Sequence, residues 1–301
     1  MNQKELINKI NKLKKEKNAV LLVHNYQRPE IYEVADFIGD SLELARKAQK
    51  TKADIILFCG VDFMAESAKI LNPKKLVLLP TIEARCPMAA QVDINELKKW
   101  QKDFPKAATV SYVNTNAETK ALSDICCTSA NAVKVVKSLK ENEIIFLPDE
   151  NLARYVEWQV PDKKIIPWKG FCYVHDKIMI GKVLEAKANY PDAALVVHPE
   201  CPIEVCKIAD HVTSTTGMID YVKSSNKKEF IIVTEQGMVN RLERDVPGKK
   251  YYPVGGICMQ MKKNTLENIL YALENEVHKV EIDKKIAKKA KNTLDRMLKI
   301  K

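Results

Sequence analysis

Mostly apolar residues in this chain come in short runs, and the runs come in threes. Stretches at residues 20–23, 55–58 and 76–79 are matched at 108–112, 144–147 and 165–166, and again at 195–197, 230–233 and 251–252. Each run is strand-sized. Its lack of polar alternation predicts burial on both faces, as in a parallel sheet covered by helices. Shorter strands are predicted at 35–39, 125–127 and 211–212. Pro29 stands where a helix can begin. Asp40 with Ser41, Thr128 with Ser129, and the stretch 213–217 precede further helical patterns, and their side-chain oxygens predict caps. Strands alternating with helices throughout give an α/β fold class. The predicted architecture is three pseudo-threefold-related repeats, each a small parallel sheet with helices on both faces, meeting at a central cavity.

The repeat is carried by chemistry as well as by pattern. Cys86, Cys172 and Cys258 stand at equal steps of 86 residues. His24, Tyr112 and His198 keep nearly the same step, as do Tyr26, Asn114 and Glu200. Asp36, Asp124 and Asp210 form another set, and Ser41, Ser129 and Thr215 a fourth. A fixed period across the whole chain is the mark of a repeat architecture. The boundaries follow: residues 1–87 with the C-terminal tail 260–301 as the first repeat, 88–173 as the second, and 174–259 as the third. The tail reads as two helices, the first with an apolar face expected to pack back on the first repeat.

Composition narrows the function classes. The chain has 301 residues, long enough for several subdomains. No apolar run reaches membrane-spanning length. The N-terminus opens as a charged amphipathic helix without a signal core, so a cytoplasmic protein is expected. The net charge of +10 comes from lysines scattered over helical surfaces with few aromatics nearby. That argues against a nucleic-acid partner, although a positive field favours small anionic substrates. Eight cysteines in a chain of this kind predict reduced thiols rather than a disulfide framework. Cys59, Cys126, Cys127, Cys201 and Cys206 fall outside the register and read as buried core thiols. The spacing of Cys201 and Cys206 also allows a local redox pair.

Ligands of parallel α/β sheets collect at the carboxyl ends of the strands. The in-register residues all follow strands, so they are expected to line one cavity. Three thiolates there make a soft site, better suited to an iron–sulfur cluster than to zinc, whose structural sites use four ligands at short local spacing. A cubane on three cysteines keeps one iron open as a Lewis acid. Hydroxyls at helix starts (Ser41, Ser129 and Thr215, with Ser214 and Thr216 beside the last) predict an anion site. His24, Tyr26, Tyr112, His198 and Glu200 are the candidate acids and bases. An aconitase-like hydro-lyase acting on another hydroxy acid would use the same parts. A non-catalytic iron–sulfur sensor or nucleic-acid binder would leave the His24, Tyr112 and His198 register without a reason.

Longer motifs add a resemblance. The runs Val23-His24-Asn25-Tyr26-Gln27, Gly39-Asp40-Ser41, Gly60-Val61-Asp62-Phe63-Met64-Ala65-Glu66, Cys86-Pro87-Met88-Ala89, Tyr112-Val113-Asn114-Thr115, Cys127-Thr128-Ser129-Ala130-Asn131-Ala132, Val197-His198-Pro199-Glu200-Cys201-Pro202 and Met261-Lys262-Lys263-Asn264-Thr265-Leu266 resemble the quinolinate synthase family over nearly the whole chain. The resemblance implies a 4Fe–4S cluster on Cys86, Cys172 and Cys258. It implies condensation of iminoaspartate with dihydroxyacetone phosphate to quinolinate, phosphate and water, in NAD biosynthesis. A functional link to an iminoaspartate-producing enzyme would follow. It implies that Tyr26, Tyr112, His198 and Glu200 handle protons, and that His24, Ser41, Asn114, Ser129, Ser214 and Thr215 hold carboxylates and phosphate. One departure stands out. Some members carry Cys-x-x-Cys-x-x-Cys around the third ligand, whereas here Cys258 is followed by Met259, Gln260 and Met261.

Overall fold

The computed structural model describes residues 1–300. It contains three four-stranded parallel sheets. The first comprises β1 (Ala19–His24), β2 (Phe37–Gly39), β3 (Ile55–Cys59) and β4 (Leu76–Leu78). The second comprises β5 (Ala108–Tyr112), β6 (Ile125–Cys127), β7 (Glu143–Leu147) and β8 (Lys164–Pro167). The third comprises β9 (Ala194–Val197), β10 (His211–Val212), β11 (Glu229–Val233) and β12 (Lys250–Pro253). The strand orders, β2-β1-β3-β4, β6-β5-β7-β8 and β10-β9-β11-β12, are one topology repeated.

The aspartate register has a structural use. Asp36 Oδ2 accepts the Leu21 N–H at 2.8 Å, while the Asp36 N–H donates to the Leu21 carbonyl. Asp124 does the same with Thr109, and Asp210 with Leu195. Each aspartate thus extends the pairing between a central strand and its short edge strand by one side chain.

Alternate residues along the central strands divide between two environments, as the pleat requires. Val20 and Leu22, Ile144 and Phe146, and Phe230 and Ile232 face one core shared by all three repeats. Their neighbours face private outer clusters. Leu21 and Val23 pack with the first repeat's helices, Ile145 and Leu147 with Val92, Leu97 and Trp168, and Ile231 and Val233 with Ile178 and Val183. Cys59, Cys126, Cys127, Cys201 and Cys206 are all free and buried within these clusters.

The helix starts differ in detail from expectation. Asp40 alone caps the helix Ser41–Lys50, accepting the Leu42 and Glu43 N–H groups. Ser214, not Thr215, caps Thr215–Ser224. Ser129 caps nothing: the helix Ala132–Ser138 starts later, and Asn131 Oδ1 turns back to the Thr128 N–H. Asp40 and Ser214 occupy the first and third caps and the second helix has no side-chain cap, so the hydroxyls of Ser41, Ser129 and Thr215 are not used in capping.

The tail serves two repeats. The helix Leu266–Asn275 buries Leu266, Ile269, Leu270 and Leu273 against the N-terminal helix and the outer face of the first sheet. The helix Lys284–Lys299 instead sends Leu294 and Met297 into the shared core, and Arg296 donates to the Asp124 carbonyl at 2.7 Å. It therefore lies mainly against the second repeat and reaches the first through the helix Asp62–Leu71.

Candidate active site

One cavity opens where the carboxyl ends of the three sheets converge, and all three repeats line it. The chain leaves each central strand directly into it, so the residue at or after the strand end projects there. These residues are His24 at the end of β1, Tyr112 at the end of β5, and His198 just after β9.

The two histidines are held alike. The Tyr26 N–H donates to His24 Nδ1 at 3.2 Å, and the Glu200 N–H to His198 Nδ1 at 3.4 Å. A nitrogen that accepts carries no proton, so in each ring the proton sits on Nε2. Burial, together with Lys262, holds His24 down at about 3. Burial, with His175 and His24 nearby, holds His198 at about 3 as well. Both rings are therefore neutral donors at physiological pH. The tyrosines are pushed the other way: burial, then the Glu200 charge, raises Tyr26 and Tyr112 well above the usual phenol range.

Glu200 is the hub. Burial would raise its carboxyl, but His175, by charge and by hydrogen bond, outweighs this with help from His198 and Tyr112, leaving it at about 2. His175 Nδ1 lies 2.8 Å from Glu200 Oε2 and 3.2 Å from Cys172 Sγ. Its other nitrogen lies 2.8 Å from the Thr234 hydroxyl, which is 2.7 Å from the Tyr26 hydroxyl. A polar chain thus runs from Tyr26 through Thr234 and His175 to Glu200, whose charge also acts on Tyr112. Glu200 Oε1 and Asn114 Oδ1 are buried with no protein partner. Such orphaned acceptors are costly unless something else bonds them.

Cys86, Cys172 and Cys258 all line the cavity. Burial pushes the Cys86 thiol up to about 12, with Cys258 contributing, and burial also raises Cys172 and Cys258. A cationic centre would reverse this by stabilising the thiolates. Three thiols, no fourth at the cavity, and free hydroxyl and amide groups beside them fit an iron–sulfur cluster with one open iron. Cys172, His175 and Glu200 also place one donor atom each within 4.8 Å of one another, so metal binding there has support from mixed ligands as well.

Most residues singled out in the sequence border this cavity: His24, Tyr26, Ser41, Tyr112, Asn114, Ser129, His198, Glu200 and Thr215, with the three cysteines. Ser214 does not. Its hydroxyl donates to Asp40 Oδ2 at 3.1 Å and accepts the Gly217 N–H, which joins the first and third repeats. Thr215 also accepts from Asn25 at 2.9 Å across the same boundary. His175 and Glu235 line the cavity, and Thr234 joins its polar chain, without having been read from the sequence. His175 has Ala89 and Met261 at its register positions, so the repeat conceals it. Its place three residues after Cys172 was the available signal.

Three thiols and a chain of buried polar groups gathered at the strand ends of an α/β fold have the make-up of an enzyme site, with side chains that could hold a metal. The model of the family described as "Quinolinate synthetase A protein" matches residues 8–299. The chain is 50% identical to the quinolinate synthase of Alkaliphilus metalliredigens over the full length of both. It is 53% identical to that of Thermodesulfovibrio yellowstonii over 95% of each chain. With that of Methanocaldococcus jannaschii it shares 51% identity over 98% of this chain and 99% of the relative. The chain belongs to the quinolinate synthetase A protein family. Among the described residues, no helix is long and apolar enough to cross a membrane.

Proposed function

We propose that this protein condenses iminoaspartate with dihydroxyacetone phosphate to give quinolinate, phosphate and water, for NAD biosynthesis. Family membership supports the enzyme class. The observation that carries the cofactor is the convergence of Cys86, Cys172 and Cys258 on one cavity without a fourth thiol. When bound there, a 4Fe–4S cluster would supply an open Lewis-acidic iron for substrate oxygen.

The remaining work falls to the chain's own groups. The neutral His24 and His198 rings offer N–H donors to carboxylates. Ser41, Ser129 and Thr215 offer hydroxyls, and Asn114 an amide, to the phosphate and the second carboxylate. None of these donors requires a counter-charge, so the substrate's anionic groups are held by dipoles in a water-poor site. Glu200 takes protons from the condensing carbons, and Tyr112, on the same cavity wall, returns them to departing oxygens. Tyr26, through Thr234 and His175, connects the same pair to the far side of the cavity. Ring closure and dehydration need several such transfers, and a linked chain can serve them in turn.

Purification without oxygen, followed by iron, sulfide and quinolinate assays on one sample, tests the proposal. About four irons per chain with quinolinate formed is the expected result. A full iron complement with no quinolinate, in an assay validated with a known synthase, would transfer the reading to a hydro-lyase. No iron after anaerobic reconstitution would overturn the three-thiol site itself.

A further inference from the structure

Each cysteine loop is fastened to the protein by one recurring backbone bond, and two of the three by a second bond. The carbonyl two residues before the cysteine accepts a backbone N–H from the start of the helix after the third strand of that repeat. The pairs are Asp62 N–H to Ala84, Glu150 N–H to Gly170, and Gln236 N–H to Gly256, at 2.9, 2.7 and 3.0 Å. The second bond is made by a carboxylate at the same place. Asp62 Oδ1 accepts the Cys86 N–H at 3.0 Å, and Glu235 Oε1 accepts the Cys258 N–H at 3.0 Å. In the second repeat, Asp149 stands there. Its Oδ1 accepts the Leu152 N–H at 3.0 Å instead, and its Oδ2 has no partner.

Two of the three acids hold one register. Asp149 and Glu235 are 86 residues apart, the same step as the cysteines. Asp62 sits one position earlier than that step requires; its backbone N–H matches those of Glu150 and Gln236, so it supplies both bonds of its pair from a single residue. The loops are packed to match. A Cβ on Gly170 would meet the Pro148 carbonyl at 2.4 Å, and one on Gly255 would meet the Thr234 carbonyl at 1.8 Å. Close approach to the strand end is thus built into the second and third loops.

We propose that Asp62 and Glu235 are positioning residues that latch the backbone of Cys86 and Cys258 and aim these two thiols before any metal arrives. A carboxylate is the suitable acceptor. It bonds an N–H more strongly than a carbonyl does, and it lies on the rigid junction between strand and helix. The Glu235 latch is the firmer. Lys262 lies 3.1 Å from Glu235 Oε1 and also bonds the Tyr26 carbonyl, so the third cysteine loop is tied to the loop after β1. The latches matter to the proposed function only in that the thiols then have a cluster to hold.

The test reads the thiols directly. The full chain, freed of metal by a chelator, is treated with iodoacetamide, and labelling of each cysteine is followed by peptide mass spectrometry. Asp62→Ala is expected to speed labelling of Cys86 by about tenfold or more, and Glu235→Ala that of Cys258, with the other two site thiols within about twofold. Asp62→Asn and Glu235→Gln keep an oxygen that accepts the N–H and are expected to return most of the protection. Uniform acceleration of all three, or no change, would overturn the proposal, and labelling of Cys59 would reveal a chain that has unfolded. Should the alanine variants unfold, amide exchange in the unaltered chain decides. The Cys86 and Cys258 N–H groups must exchange about a hundredfold slower than free loop amides, and exchange at the free rate would overturn the latch. Failure here leaves the iron assay untouched, and absence of iron leaves the labelling pattern intact.

Discussion

The ends of β1 and β9 can be set against the end of β5. All three occupy equivalent places, yet two carry histidine and one carries tyrosine. The histidines have their Nδ1 atoms committed to backbone N–H groups two residues on, and burial keeps both rings neutral with values of about 3. Tyr112 makes no such local bond and is coupled to Glu200 instead. The residue type that usually titrates near neutrality is here fixed as a donor. Proton exchange is left to the phenol and carboxylate that the histidines flank.

This contrast can be broken in four ways. The largest effect is expected for Glu200→Gln, which removes the charge that Tyr112 and His175 share. Turnover should fall about a thousandfold with iron content unchanged, and a fall of less than about tenfold would remove Glu200 from proton transfer. Tyr112→Phe should cost about a hundredfold, again with the cluster absorbance near 400 nm intact. Unchanged turnover would mean that the phenol is only packing. His24→Ala and His198→Ala should chiefly raise KM, about tenfold each for one lost donor, and kcat should change less. A larger loss in kcat than in binding would make the histidines acids after all.

The smallest effect sharpens the comparison through pH. Each histidine's folded value, about 3, lies below its ordinary 6.5. The unfolded chain therefore binds protons that the folded chain refuses. Stability from these two groups is full above pH 6.5 and is lost as the pH falls towards 3, about 2 kcal/mol for each by pH 5. Urea midpoints should drop from pH 7 to pH 5, and the drop should shrink in the His24→Gln, His198→Gln double variant. A double variant as acid-sensitive as the parent would place the loss elsewhere. Over the pH 6–8 range the same two groups should add no inflection to kcat.

The strands and the cavity wall were legible because apolar runs and strand-end residues recur in one period. What escaped did so for physical reasons. His175 works in one repeat alone, and no register could point to it. Glu235 escaped because a buried carboxylate whose partner is a backbone N–H some two dozen residues on leaves no side-chain pair to find. Asp40 and Ser214 took the caps expected of Ser41 and Thr215, a shift of one residue that turns two hydroxyls from helix ends to the cavity. The placement of Lys284–Lys299 on the second repeat depended on which face of that helix met the shared core, and its apolar stripe does not name its partner.

The shared inner core has one more consequence. A single repeat, cut out, would carry a sheet with one apolar face and nothing to cover it but further copies of itself. Folding and association would then be one event, and dilution would dissolve both the fold and the cavity. Three copies on one chain hold each other at a fixed effective concentration. A pocket that needs three contributors therefore persists however few molecules a cell contains.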